Sequence, residues 1–169
     1  MNCCKKVFLL VFLSVGTHSF SQDQHKKDVV FSPGILVQKA LFFEANLLVG
    51  DVTVDTQSKI PMVGAEGWRI GIESNLQNNT NFVIAPKIGY EISPLFYTLR
   101  FSVVNYFQDG NSEFRLLPEL GYSLGGWINL TYGYGISVNN GNLRDVSRHR
   151  VSLTFNLNKR LRKGVFELF

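Results

Sequence analysis

Past position 4 the chain has no cysteine: Cys3 and Cys4 are its two thiols, both at the very beginning. A chain that loses those residues has no disulfide framework and no cysteine metal site. Histidine is almost as scarce, at positions 18, 25 and 149, with no His-x-His or His-x-x-x-His spacing. Asp51, Asp55 and Asp109 are too sparse for a calcium loop, and "NNGN" at 139–142 reads as a turn rather than a phosphate cradle. The expectation is no metal and no cofactor. After Asp28 there is no apolar run long enough for a membrane-crossing helix and no stretch with a clean helical period. The net charge is a modest +4, concentrated in Lys26–Lys27 and in "KRLRK" at 159–163. Neither run has the interleaved aromatics of a nucleic-acid platform, so nucleic acid is not expected as a partner.

What is present begins with a leader. Lys5 and Lys6 precede the apolar run Val7–Val15, followed by the small residues Ser19 and Ser21. That order predicts a secretory signal peptide over 1–21, cleaved before Gln22. Residues 22–28 read as a short segment, 29–158 as one domain, and 159–169 as a basic tail, solvated or near anionic headgroups.

Within 29–158 the pattern has a period of two. In "LTYGYGISV" at 130–138, Leu130, Tyr132, Tyr134, Ile136 and Val138 alternate with Thr131, Gly133, Gly135 and Ser137. Similar segments predict strands at 29–38, 40–50, 67–76, 82–92, 95–106, 114–124, 127–138 and 148–158, separated by turn-forming stretches such as "QNNTN", "SP", "QDGNSE" and "GG". Two features sit badly with regular pairing. Residues 51–64 form a long connection where a tight turn is expected, and Pro86 and Pro118 each remove a ladder donor unless a bulge accommodates them.

The polar positions suggest which face points inward. A water-exposed sheet face avoids glycine, which weakens strands. Here glycine and small hydroxyls share a face with Glu44, Arg69, Glu73, Lys87, Glu91, Arg100, Arg115, Glu119 and Arg150, charges that nearly balance. Small residues and paired charges fit the narrow interior of an eight-stranded barrel, where an unpaired charge is costly. The opposite face carries Phe43, Trp68, Tyr90, Tyr97, Phe101, Phe114, Tyr122, Tyr132, Tyr134 and Phe155, aromatics suited to lipid and its interfaces. The predicted fold class is all-β, an antiparallel up-and-down transmembrane β-barrel of about eight strands.

With "APKIGYEI" at 85–92, "RLLPELGYSLGG" at 115–126 and "RHRVSLTFNLN" at 148–158, the chain resembles the small outer-membrane β-barrel proteins of Gram-negative bacteria. The resemblance implies an outer-membrane location, contact with outer-membrane lipid including lipopolysaccharide, handling by the barrel-assembly machinery, and a monomer. Members often close the last strand on an aromatic that the assembly machinery recognises; this chain departs from that pattern, since Phe155 and Leu157 close the eighth strand but "KRLRKGVFELF" follows to Phe169, and either segment is a candidate for that role.

Three other readings bear on function. Some small barrels are lipid A acyltransferases or deacylases, and His149 has Ser147 and Asp145 near it in sequence. Sequence proximity does not make a triad, and a rim histidine at the headgroups is preferred, so no catalytic residue is assigned. The interior charges suit either a small-ion pore or a plug, and a side-chain-filled lumen favours the plug. A soluble lipocalin-like barrel would turn the aromatics inward around an apolar ligand; it would also carry a helix after the last strand and a Gly-x-Trp near the first, and neither is evident.

Overall fold

The computed structural model describes residues 26–75, 82–139, 143 and 145–168. The leader, His25, the "QNNTN" stretch and residues 140–142 lie outside the described residues. The strands are β1 (Lys26–Val37), β2 (Leu41–Asp55), β3 (Met62–Ser74), β4 (Ile84–Pro94), β5 (Tyr97–Gln108), β6 (Asn111–Leu124), β7 (Ile128–Tyr134), β8 (Ile136–Ser137) and β9 (His149–Phe155). Every pairing is antiparallel, β6 pairs with both β7 and β8, β7 pairs with β9, and β1 pairs back onto β9 through Gly34↔Thr154 to Val37↔Val151. First and last strands therefore meet, and the fold is a closed barrel. β7 and β8 both pair with β6 in one register and form a single stave, so the barrel has eight staves.

The break between β7 and β8 has a local cause. β6 pairs with β7 up to Glu119↔Gly133 and with β8 from Leu116↔Ile136, so the ladder skips Leu117 and Pro118. Pro118 has no N–H to donate, and Gly135 turns its own N–H to the Arg148 carbonyl at 2.6 Å. Pro86 acts the same way: the β4–β5 ladder runs from Ile84↔Phe107 to Lys87↔Val104 and omits the two residues between. Neither proline shifts the register, so each is accommodated by a skipped rung rather than by a bulge.

Three expectations are corrected. Residues 51–64 are not a long loop: β2 and β3 stay paired through Asp55↔Met62, leaving 56–61 as the connection. At the tip, Asp55 accepts from the Gln57 N–H at 3.2 Å and the Ser58 N–H at 3.1 Å. The basic tail is also not a tail. Lys159–Leu168 is a helix, α1, that packs across the end of the barrel. Asn158 caps it by accepting from the Arg160 N–H at 2.8 Å and the Leu161 N–H at 3.3 Å. Leu161, Gly164 and Val165 are buried, a one-sided spacing that was available in the sequence. A helix after the last strand is thus present, and its absence cannot be counted against a lipocalin-like fold. β1 also starts at Lys26 rather than 29, with Lys27 exposed at its outset.

The barrel has two distinct ends. At the helix end lie the connections 56–61, 95–96 and 125–127; at the far end lie 38–40, 109–110 and the described residues 75, 82–83, 138–139, 143 and 145–148. The tightest far-end turn is Asp109–Gly110, with φ of 49° and 78°, joining strands paired at Gln108↔Asn111. Positive φ at both central residues matches the right-handed twist of the hairpin it closes.

Candidate functional site: a charged lumen between two apolar caps

Alternate side chains along each stave point into the barrel, and in its middle those side chains are polar. Glu44, Arg69, Glu73, Lys87, Glu91, Arg100, Arg115, Glu119 and Arg150, all anticipated from the sequence, are all buried. The ten anticipated aromatics, from Phe43 to Phe155, are all outward and exposed, with Tyr122 reaching 79 %.

The buried charges form two connected centres. Nearer the helix end, Glu91 is fully buried and pairs with Arg69 and with Arg100, the latter at 2.8 Å. It also accepts from the Ser93 hydroxyl at 2.6 Å and the Asn129 amide at 3.1 Å. Arg100 reaches across to donate to Thr154 at 2.5 Å. Nearer the far end, Glu73 accepts from Lys87 at 2.7 Å, from Arg150 at 2.8 Å and from the Tyr106 hydroxyl at 3.1 Å. Lys87 also pairs with Glu44, and Arg150 lies 3.4 Å from Glu119. β2, β3, β4, β5, β6, β7 and β9 all contribute, so the network ties together strands remote in sequence.

Sequence reasoning missed one member. Glu113 pairs with Arg115 at 2.8 Å and accepts from the Leu143 N–H at 3.2 Å. Its position, an even number of residues from Arg115 and Glu119, was the available signal. With it, among the described residues, the buried acids 44, 73, 91, 113 and 119 equal in number the buried bases 69, 87, 100, 115 and 150. A neutral interior follows from the cost of an uncompensated buried charge.

Gly133 shows why this face needs glycine. A Cβ there would meet Glu119 Cγ at 2.8 Å and Arg150 Cγ at 3.1 Å. The space beside Tyr106, Arg115 and Arg150 has no room for a water-sized molecule.

The layer is closed at both ends by apolar clusters. At the far end Leu36, Phe42, Val83, Ala85, Val104 and Leu117 point inward and pack with Leu143 and Val146 of the last connection. At the helix end Val30, Leu48, Val52, Val63 and Ala65 pack under Leu161 and Val165. Gly164 permits the close approach: a Cβ there would meet Val54 Cγ1 at 2.8 Å.

His149 turns its ring to the outer face and away from the side chains of its sequence neighbours Ser147 and Asp145. Its Nδ1 lies 2.5 Å from the Tyr132 hydroxyl on the outer face, and its ring meets that of Tyr134 edge-on at 5.1 Å. Ser147 Oγ accepts from the His149 backbone N–H at 3.2 Å, and Asp145 accepts from Gln108 at 2.6 Å. The Ser–His–acid relay considered from the sequence is not assembled, and the three residues do different jobs. No cluster of three or more His, Cys, Asp or Glu side chains able to hold a metal occurs among the described residues. No helix among them is long and apolar enough to cross a membrane, which leaves crossing by strands untouched.

The arrangement defines a class: an eight-stranded antiparallel barrel, polar within and apolar without, closed by an apolar layer at each end. Comparison with protein-family models, curated proteins and solved structures finds no match for the chain.

Proposed function

We propose that this protein is an integral outer-membrane β-barrel with a structural or surface-interaction role, exported by its leader and inserted as a monomer by the barrel-assembly machinery. The observation that carries this reading is the inverted polarity. Val29, Phe31, Leu47, Trp68, Ile70, Ile88, Leu99, Phe101, Leu120 and Leu130 stand exposed around the wall, while ion pairs fill the interior. A water-soluble protein rarely exposes an apolar patch beyond a few hundred Å², and a belt around the whole barrel far exceeds that.

The belt has the height a bilayer needs. Outward positions are apolar over 84–92 on β4 and, with Asn105 the exception, over 97–107 on β5, close to the roughly 9–11 residues of a tilted membrane strand. The belt then stops abruptly toward the helix end, where Lys27, Asp51 and Glu66 stand side by side in register. In this reading the helix end faces the periplasm and the far end meets the outer leaflet and its lipopolysaccharide. The His149, Tyr132 and Tyr134 rings form part of the girdle there. A lipocalin-like ligand carrier requires the reverse placement of aromatics and charges.

The lumen is a plug rather than a pore, because its charges are paired and capped at both ends. In planar bilayers the expected outcome is no steady conductance; a conductance altered by replacing Arg100 or Glu119 defeats the plug. For the membrane reading, the expected outcome is extraction from the envelope by detergent alone, and a compact monomer in plain buffer defeats it.

A further inference from the structure

We infer that the outward face of α1 is a docking surface for anionic phospholipid headgroups of the leaflet at the helix end; this rests on the membrane reading above. Lys159, Arg162, Lys163 and Phe166 fall at the spacing of one helix face, and all four are exposed. Lys159 and Arg162 have no ion-pair partner among the described residues, and Lys163 meets Glu167 at 3.5 Å in an exposed pair.

This charge placement runs against the needs of the helix itself. There is no acidic residue in the first turn, and the cations cluster toward the N-terminal half, where the macrodipole disfavours them. Burial of the opposite face does not require them, since Leu161, Gly164 and Val165 make that contact. A cluster that costs helix stability and packs against nothing is matched by an external anionic surface.

Phe166 selects a membrane over a soluble polyanion. It is 69 % exposed, yet its ring lies 5.7 Å from that of Trp127, on the connection between β6 and β7. Tyr122 on β6 and Phe96 and Tyr97 at the neighbouring β4–β5 connection are exposed at the same end. The helix face is therefore continuous with the aromatic edge of the belt: a ring for the acyl boundary beside cations for phosphate. The acids on or beside α1 are Glu167, which Lys163 meets, Asp28, which accepts from Asn158 at 2.9 Å, and Asp55, which lines a cleft of about 390 Å³ together with Arg160 and Lys163.

The full chain carrying W68F keeps Trp127 as its one tryptophan and is reconstituted into phosphatidylcholine vesicles with and without phosphatidylglycerol. Quenching of Trp127 by spin-labelled phosphatidylglycerol is compared with quenching by identically labelled phosphatidylcholine. The expected result is a preference for the anionic label on the order of tenfold, lost at high salt and lost in K159Q/R162Q/K163Q. Glutamine is a good helix former, so the helix persists in that variant. Equal quenching by both labels, or a preference that survives the triple change, overturns the inference. So does retention of a soluble anionic glycan on vesicles lacking phosphatidylglycerol, which assigns the face to a macromolecular partner. Failure of the parent protein to float with phosphatidylcholine vesicles is a separate outcome: it sinks the membrane reading and this inference with it.

Discussion

The middle of the lumen and its two ends are built from the same strands on opposite principles. In the middle, inward positions are charged and outward positions apolar: Arg69 faces in beside Ile70, and Glu91 beside Tyr90. Toward the helix end β2 and β3 exchange these roles. Val52, Val63 and Ala65 face in under α1, while Asp51, Thr53 and Glu66 face out. At the far end Phe42, Val104 and Leu117 also face in, beneath the last connection. The difference teaches that inside and outside have no fixed polarity; each face matches whatever covers it. Where other staves cover the interior, charges must find one another. Where a helix or loop covers it, apolar packing suffices.

The sharpest way to break this comparison is at the centre. Glu73→Ala leaves Lys87, Arg150 and the Tyr106 hydroxyl without their shared acceptor, and the expected loss is about 3–5 kcal/mol. The midpoint of urea unfolding from lipid measures it; a loss under about 1 kcal/mol means that the charges are not mutually dependent.

Ile88→Arg tests the outside at the same height. With the belt in hydrocarbon the substitution costs about 2–4 kcal/mol. A solvent-facing position gives about 0.5 kcal/mol or less, and vesicle-refolding titrations separate the two.

At the helix end, Leu161→Ala removes a fully buried side chain, a change worth about 2–5 kcal/mol in a continuous core. The expected effect here is narrower, because α1 joins the barrel only through its own contacts. Proteolysis at Arg162 and Lys163 accelerates while barrel unfolding shifts little. A large loss of barrel stability makes the helix integral to the wall rather than a cap.

Acid produces the smallest effect, at the tip of the β2–β3 hairpin. Hydrogen bonds from Ser58, and then from the Gln57 N–H, hold the Asp55 carboxyl below its usual range. A carboxyl depressed in the folded state stabilises the tip above its unfolded value, and that contribution is lost as pH falls through the folded value. Amide exchange at Gln57 and Ser58 is expected to quicken in acid with the barrel intact; exchange indifferent to pH, after allowing for intrinsic rates, removes Asp55 from that role.

Much of the wall was legible in the sequence wherever the outer face is apolar. The period of two located every stave, and the parity of Arg69, Lys87 and Arg150 placed them together on the inside. It failed where the phase of the pattern inverts. "DVTVD" alternates as strictly as the rest, but with its apolar residues on the other face, and in "MVGAE" the inward Val63 and Ala65 follow an exposed Met62, so both resembled a loop. α1 escaped notice because its four cations hide the buried Leu161 and Val165 from an average over the segment.

By itself the sequence determined that the chain alternates, that its two faces differ in kind, and that acids and bases on one face come near to cancelling. These are properties of residue order at a two-residue period, and they hold for any arrangement of strands. Only the tertiary structure decided which acid meets which base, because Glu73 and Arg150 are brought together by barrel closure rather than by spacing. It also decided where the faces exchange polarity, since that depends on α1 and the last connection coming to rest over the two mouths, contacts that no local pattern encodes.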